Sequence, residues 1–114
     1  MSAKSPITTH VLDTAAGKPA HGVPVSLERQ SSAAPATYEV IGRSQTDDDG
    51  RATDLLPADH TLEAGVYRIT FDVGTYQEGF YPSVSIDFVV VATDEHYHVP
   101  LLLSPFGYST YRGS

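Results

Sequence analysis

The chain has no cysteine, no tryptophan and a single methionine in 114 residues. Without thiols it can form no disulfide, no thiolate metal site and no cysteine nucleophile. Basic residues are few as well: Lys and Arg number 7 against 14 acidic residues, a formal charge of -7 at pH 7. That balance argues against a nucleic-acid partner. No apolar run approaches the ~20 residues that span a bilayer. The opening MSAKSPITTH lacks the apolar stretch of a secretory signal. A cytoplasmic protein with no membrane association is the expectation, a peroxisomal home staying open for a eukaryotic source. Motifs for nucleophilic triads, phosphate loops and dinucleotides are missing. Helical periodicity is scarce too, which leaves strands.

Period-two runs rich in β-branched and aromatic residues recur between turn residues, the mark of an all-β sandwich or barrel. The predicted strands are Ile7–Asp13, Val23–Arg29, Tyr38–Thr46, Arg51 to about Leu55, Gly65–Asp72, Val84–Val91, His96–Leu103 and Phe106–Arg112. Turns fall at Ala15–Pro19, at Asp47–Gly50, where the glycine can take a positive φ, and at Ala92–Glu95; a proline-containing loop covers Ser31–Thr37. One short helical segment is expected at Val73–Gly79, ending at Gly79. Val66, Ile69 and Phe71 are the expected core contributors of their strand. The spacing therefore predicts one antiparallel β-sandwich of about eight strands with one short helix. It forms a single domain over residues 1–114, with 1–6 flexible.

Strand alternation decides which polar side chains share a face. Thr8, His10 and Leu12 fall on one side of the first strand. His96, His98, Pro100 and Leu102 fall together near the end, opposite a core-like Tyr97, Val99, Leu101 and Leu103. Gly107, Ser109 and Tyr111 share a face on the last strand. If these strands are neighbours, His10, His98 and Tyr111 converge on one patch. An anionic substrate would draw the few basic groups to its site, so each of the five histidines and each arginine bears on function. His21 and His60 lie in loops and read as ordinary. His96 and His98, two apart, could edge a metal site, but no third ligand is evident and no metal is expected. Asp47–Asp49 lacks the spaced ligands of a calcium loop. Arg51 alone reads as a solvated residue at a strand start.

Two strings say more. Thr9-His10-Val11-Leu12-Asp13 with Gly17-Lys18-Pro19-Ala20, and Tyr97-His98-Val99-Pro100-Leu101-Leu102-Leu103-Ser104-Pro105-Phe106-Gly107-Tyr108-Ser109, resemble the two signatures of the transthyretin family. Thr46-Asp47-Asp48-Asp49-Gly50-Arg51, Gly65-Val66-Tyr67 and Phe80-Tyr81-Pro82 fit between them, so the likeness runs from Ile7 to Ser114. The family has a hormone-carrying branch and a branch of 5-hydroxyisourate hydrolases. The hydrolase branch is marked by a first-strand histidine, an arginine after the Asp-Gly turn, a histidine in the penultimate strand and a terminal Tyr-Arg-Gly-Ser. His10, Arg51, His98 and Tyr111-Arg112-Gly113-Ser114 match those marks.

The resemblance implies a transthyretin-like fold. It implies a cofactor-free, metal-independent hydrolase that opens 5-hydroxyisourate to 2-oxo-4-hydroxy-4-carboxy-5-ureidoimidazoline. His10, Arg51 and His98 would be catalytic, while Arg51, Tyr111, Arg112, Gly113 and Ser114 would bind substrate. It further implies a homotetramer, a dimer of dimers with active sites at the dimer–dimer interface. Two other readings stay open. One is a small-molecule carrier without catalysis. The other is a structural sandwich module of a longer chain, since the GVPV and Asp-x-x-Gly-Arg patterns recur in such modules.

Overall fold

In the computed structural model, which describes residues 4–32 and 37–114, β1 (Ile7–Asp13) and β8 (Tyr97–Ser104) lie side by side. They pair from Ile7↔Tyr97 to Asp13↔Leu103 and run parallel. An antiparallel neighbour was the expectation. Parallel pairing needs a long crossover, and here the whole second sheet lies in sequence between the two strands. Their inward residues Ile7, Thr9, Val11, Tyr97, Val99, Leu101 and Leu103 are all buried. The opposite face carries Thr8, His10, His98 and Pro100, as alternation predicts.

Around this pair the first sheet is completed by β2 (Lys18–Pro19) and β5 (Arg51–Ala52), both on β1, and by β9 (Gly107–Thr110) on β8. The second sheet has the order β4-β3-β6-β7, from β4 (Tyr38–Gln45), β3 (Pro24–Gln30), β6 (Gly65–Phe71) and β7 (Val84–Val90). Val25, Leu27, Ile69 and Phe71 meet Val11, Leu101 and Leu103 between the sheets. Each such side chain, fully buried, contributes roughly 1.5–3 kcal/mol. The result is the sandwich read from the sequence, with its functional face turned away from the core.

Several details differ. β2 sits where only a turn was expected, and the strand from Arg51 ends at Ala52 rather than near Leu55. On β6 the core residues are Tyr67, Ile69 and Phe71, not Val66, because a period of two from Phe71 selects Tyr67. The helix α1 spans Val73–Tyr76 and stops before Gly79, since Gln77 is extended at φ -148. The Gln77 side chain instead donates to the Ser104 carbonyl at 3.1 Å. The loop expected over Ser31–Thr37 lies partly outside the described residues, as do residues 1–3 of the segment expected to be flexible. Ser5, from that same segment, is buried: its N–H donates to the Thr53 carbonyl at 2.8 Å and its hydroxyl to the Ile7 carbonyl at 2.7 Å. Among the described residues no helix is long and apolar enough to cross a membrane.

One polar contact staples α1 to the end of β1. The Tyr76 hydroxyl donates to the buried Asp13 carboxylate at 2.7 Å, and the Ala16 N–H adds a second bond at 2.9 Å. The Tyr76 bond, ahead of the backbone bonds and against the cost of burial, holds the Asp13 carboxyl below its ordinary range. The same bond pushes the Tyr76 phenol up to about 12. A depressed carboxyl stabilises the fold above its unfolded value and loses that contribution as pH falls through the folded one. Tyr76→Phe is therefore expected to cost about 1–2 kcal/mol in urea unfolding at pH 7. The gap to the unsubstituted protein should narrow as the carboxylate range is entered from above.

Candidate active site

The loop that delivers Arg51 is built from its own side chains. Gly50 takes φ 75, and Asp47 Oδ1 accepts from the Asp49 N–H at 2.9 Å and the Arg51 N–H at 3.0 Å. An Asx-type bond with a left-handed glycine makes the reversal local and reproducible. It sets β5 against β1 with Arg51 directly opposite His10. One strand further over, Thr8 of β1 stands opposite His98 of β8. Beyond β9 the chain returns to β8 as a single bridge, His98↔Gly113, with the Gly113 N–H donating to the His98 carbonyl at 2.8 Å.

These placements enclose a cavity of about 90 Å³ lined by Lys4, Thr8, Thr9, Arg51, Thr53, His96, His98 and Ser114. Arg51, His98 and Ser114 are thus brought together, with His10 beside Arg51 and Gly113 against the His98 ring. Tyr111 and Arg112 are not at this cavity in the single chain. They line a larger hollow of about 270 Å³ between the edges of β7 and β9. Arg112 lies over the Tyr97 ring at 4.6 Å and pairs with Glu95 at 2.9 Å, in a hollow that His98 also lines.

Five cavity residues, Lys4, Thr8, Thr9, Thr53 and His96, were not assigned to the site from the sequence. Thr8 and His96 sit two positions before His10 and His98, so strand alternation already placed each on the right face. Lys4 gave no such signal, because it precedes the first strand. The Ser5 anchor brings it in.

The electrostatics are one-sided. Arg29, Arg68 and Arg112 are each spent on a carboxylate, whereas among the described residues neither Lys4 nor Arg51 is ion-paired. In an acidic chain this leaves unpaired cations at the cavity wall, a setting that attracts an anion. Burial lowers the His98 pKa below its ordinary value, and the charges of His10, His96, Arg51 and Lys4 add to the effect. His96 is lowered too, by burial and then by Lys4. The Thr8 hydroxyl lies 2.8 Å from His98 Nδ1 and 2.9 Å from His96 Nε2. With Nδ1 so engaged, the other nitrogen of His98 is left for chemistry. A neutral imidazole with a fixed partner beside two cations can take a proton from water while an anion is held. Among the described residues no three His, Cys, Asp or Glu side chains group as metal ligands do.

A model described as the HIUase/Transthyretin family matches residues 7–113. The Arabidopsis thaliana protein named "Uric acid degradation bifunctional protein TTL" is 47% identical over 97% of this chain, which spans only 38% of that protein's length. The mouse protein named "5-hydroxyisourate hydrolase" is 44% identical over 96% of each chain. Sea bream transthyretin, solved in complex with thyroxine, superposes with a TM-score of 0.86 at 28% identity, over 96% of this chain and 95% of that one.

Proposed function

The chain belongs to the HIUase/Transthyretin family, and we propose that it hydrolyses 5-hydroxyisourate, opening the ring by attack of water on a cyclic amide carbonyl. The observation that carries this reading is the cavity where His98, Arg51 and Ser114 meet beside His10. A hydrolase relative at 44% identity over nearly the full length supports it.

In this mechanism the planar fork of Arg51 holds the oxygens of a flat, anionic ring, which suits a guanidinium better than an ammonium. His98, neutral at pH 7, takes a proton from the attacking water. His10, on the same face, faces the leaving nitrogen. Gly113 and Ser114 close the cavity. Tyr111 and Arg112 wall the wider channel that an assembled protein would enclose. General acid–base help of this kind contributes about 10²–10⁴-fold.

Assembly belongs to the same proposal: a homotetramer, a dimer of dimers, with the cavity facing its dimer–dimer interface. Exposed Val89 at 60% and Tyr111 at 58%, which line one hollow together with His98, support it, since clustered apolar surface marks an interface. A cytoplasmic location completes the reading. The carrier reading is favoured by one observation, the close superposition on a thyroxine-bound transthyretin. Unpaired Lys4 and Arg51 speak against an apolar ligand. Saturable thyroxine binding without turnover would decide for the carrier.

Two measurements test the assignment. Arg51→Glu should raise KM about tenfold or more, because it replaces a charge-assisted bond with repulsion. An unchanged KM would return Arg51 to the role of a turn residue. The pH dependence has a definite sign. His98 must be neutral to act as a base and its pKa is depressed, so kcat/KM should hold through neutrality. It should then fall on the acid side with a midpoint below the ordinary histidine value of 6.5. A midpoint above that value would contradict the assignment.

A further inference from the structure

Lys4 stands outside every strand, yet the segment that carries it is firmly held. The next residue, Ser5, is 1% exposed. Its N–H donates to the Thr53 carbonyl at 2.8 Å, and its hydroxyl donates to the Ile7 carbonyl at 2.7 Å. The same hydroxyl oxygen accepts from the Leu56 N–H at 3.1 Å. The Pro6 carbonyl then accepts from the Tyr97 N–H at 2.9 Å, which ties the segment to the first residue of β8, between His96 and His98. The root of Lys4 is thus fixed, while its side chain is exposed and lines the cavity with Arg51, His96 and His98.

What the ammonium lacks is a counter-charge. The acidic side chains nearest the cavity walls in sequence are engaged elsewhere. Asp47 accepts from N–H groups of its own turn, Asp54 takes the Ser44 hydroxyl, and Glu95 pairs with Arg112. Among the described residues neither Lys4 nor Arg51 has an ion pair, so two cations share one small cavity. Their mutual repulsion is relieved when an anion enters between them. The Lys4 charge is also felt inside: after burial it lowers the His96 pKa, and it is among the charges that add to burial at His98.

We propose that Lys4 is a second anion-binding residue of the site, placed by the Ser5 anchor to hold the ionised ring alongside Arg51. This deepens the hydrolytic reading above and rests on it for the substrate. The two cations do different work. The planar fork of Arg51 fixes the orientation of ring oxygens, whereas the Lys4 ammonium is a compact point charge on a flexible stem. Lys4 therefore answers to the charge of the ligand rather than to its geometry. It holds bound substrate and transition state alike, which lowers KM and leaves kcat unchanged.

The test is best run at pH 8, where both cavity histidines are neutral. Lys4→Gln should there raise KM for 5-hydroxyisourate about threefold or more, with kcat within about twofold. Lys4→Arg should restore KM, since it returns the charge. Added salt should weaken kcat/KM less steeply in Lys4→Gln than in the unsubstituted protein, because one screened charge is gone. Calorimetric titration with urate, a flat purine anion, should show a matching loss of affinity. A KM rise below about twofold, or one that Lys4→Arg fails to restore, overturns the role of Lys4 and leaves the hydrolase standing. No turnover by the unsubstituted protein overturns the hydrolytic reading, and the urate titration then decides on Lys4 by itself. Equal urate affinity in Lys4→Gln and the unsubstituted protein, or no binding by either, overturns the anion site as well.

Discussion

His98→Asn is expected to lower turnover of 5-hydroxyisourate by at least about a hundredfold while the fold persists. Asparagine fills much the same space and can still meet the Thr8 hydroxyl, so the change isolates the proton chemistry. His98 lines the cavity with Nδ1 on Thr8, where burial and the surrounding cations lower its pKa and favour the neutral ring. An amide cannot take a proton from water at neutral pH. What remains should be the contribution of substrate positioning by Arg51 and its neighbours. Near-normal kcat in this variant would remove His98 from the mechanism.

Gly113→Ala is expected to be almost as damaging, although it adds one methyl group and removes no functional atom. A Cβ built on Gly113 would lie 2.5 Å from His98 Cδ2 and 3.2 Å from both His98 Cγ and Pro100 Cγ. The ring cannot simply swing aside, because its far edge is held by Thr8. Nor can the backbone yield without loosening the 2.8 Å bond from the Gly113 N–H to the His98 carbonyl. Either response displaces the imidazole, and a shift of about 1 Å at a catalytic group can cost about 10²-fold. The expected result is a loss of about ten- to a hundredfold in kcat with the melting temperature little changed. Full activity would show that the His98 position is not critical. Glycine's place here thus follows from close packing rather than from an unusual backbone angle.

Much of this site could be read before any coordinates. Alternation along Ile7–Asp13 and Tyr97–Ser104 put Thr8, His10, His96 and His98 on non-core faces, and Asp47-Asp48-Asp49-Gly50 announced the turn that presents Arg51. Pairing was harder, because period-two patterning fixes a face and not a neighbour. Nothing local says that β1 runs parallel beside β8, and that adjacency is what joins Thr8 to both histidines. The role of Lys4 depends on the Ser5 backbone and hydroxyl bonds, which leave no periodic trace. The course of Arg112 toward Glu95 and the Tyr97 ring depends on tertiary contacts that residue type alone does not specify. Val66 and Tyr67 are both apolar enough for a core, and alternation with Ile69 and Phe71 selects Tyr67.

The most direct test is to generate 5-hydroxyisourate in place with urate oxidase and follow its ultraviolet absorbance with and without this protein. Decay that accelerates in proportion to added protein, and falls back close to the spontaneous rate with His98→Asn, is the expected result. Decay at the spontaneous rate whatever the amount of protein would contradict the hydrolytic assignment.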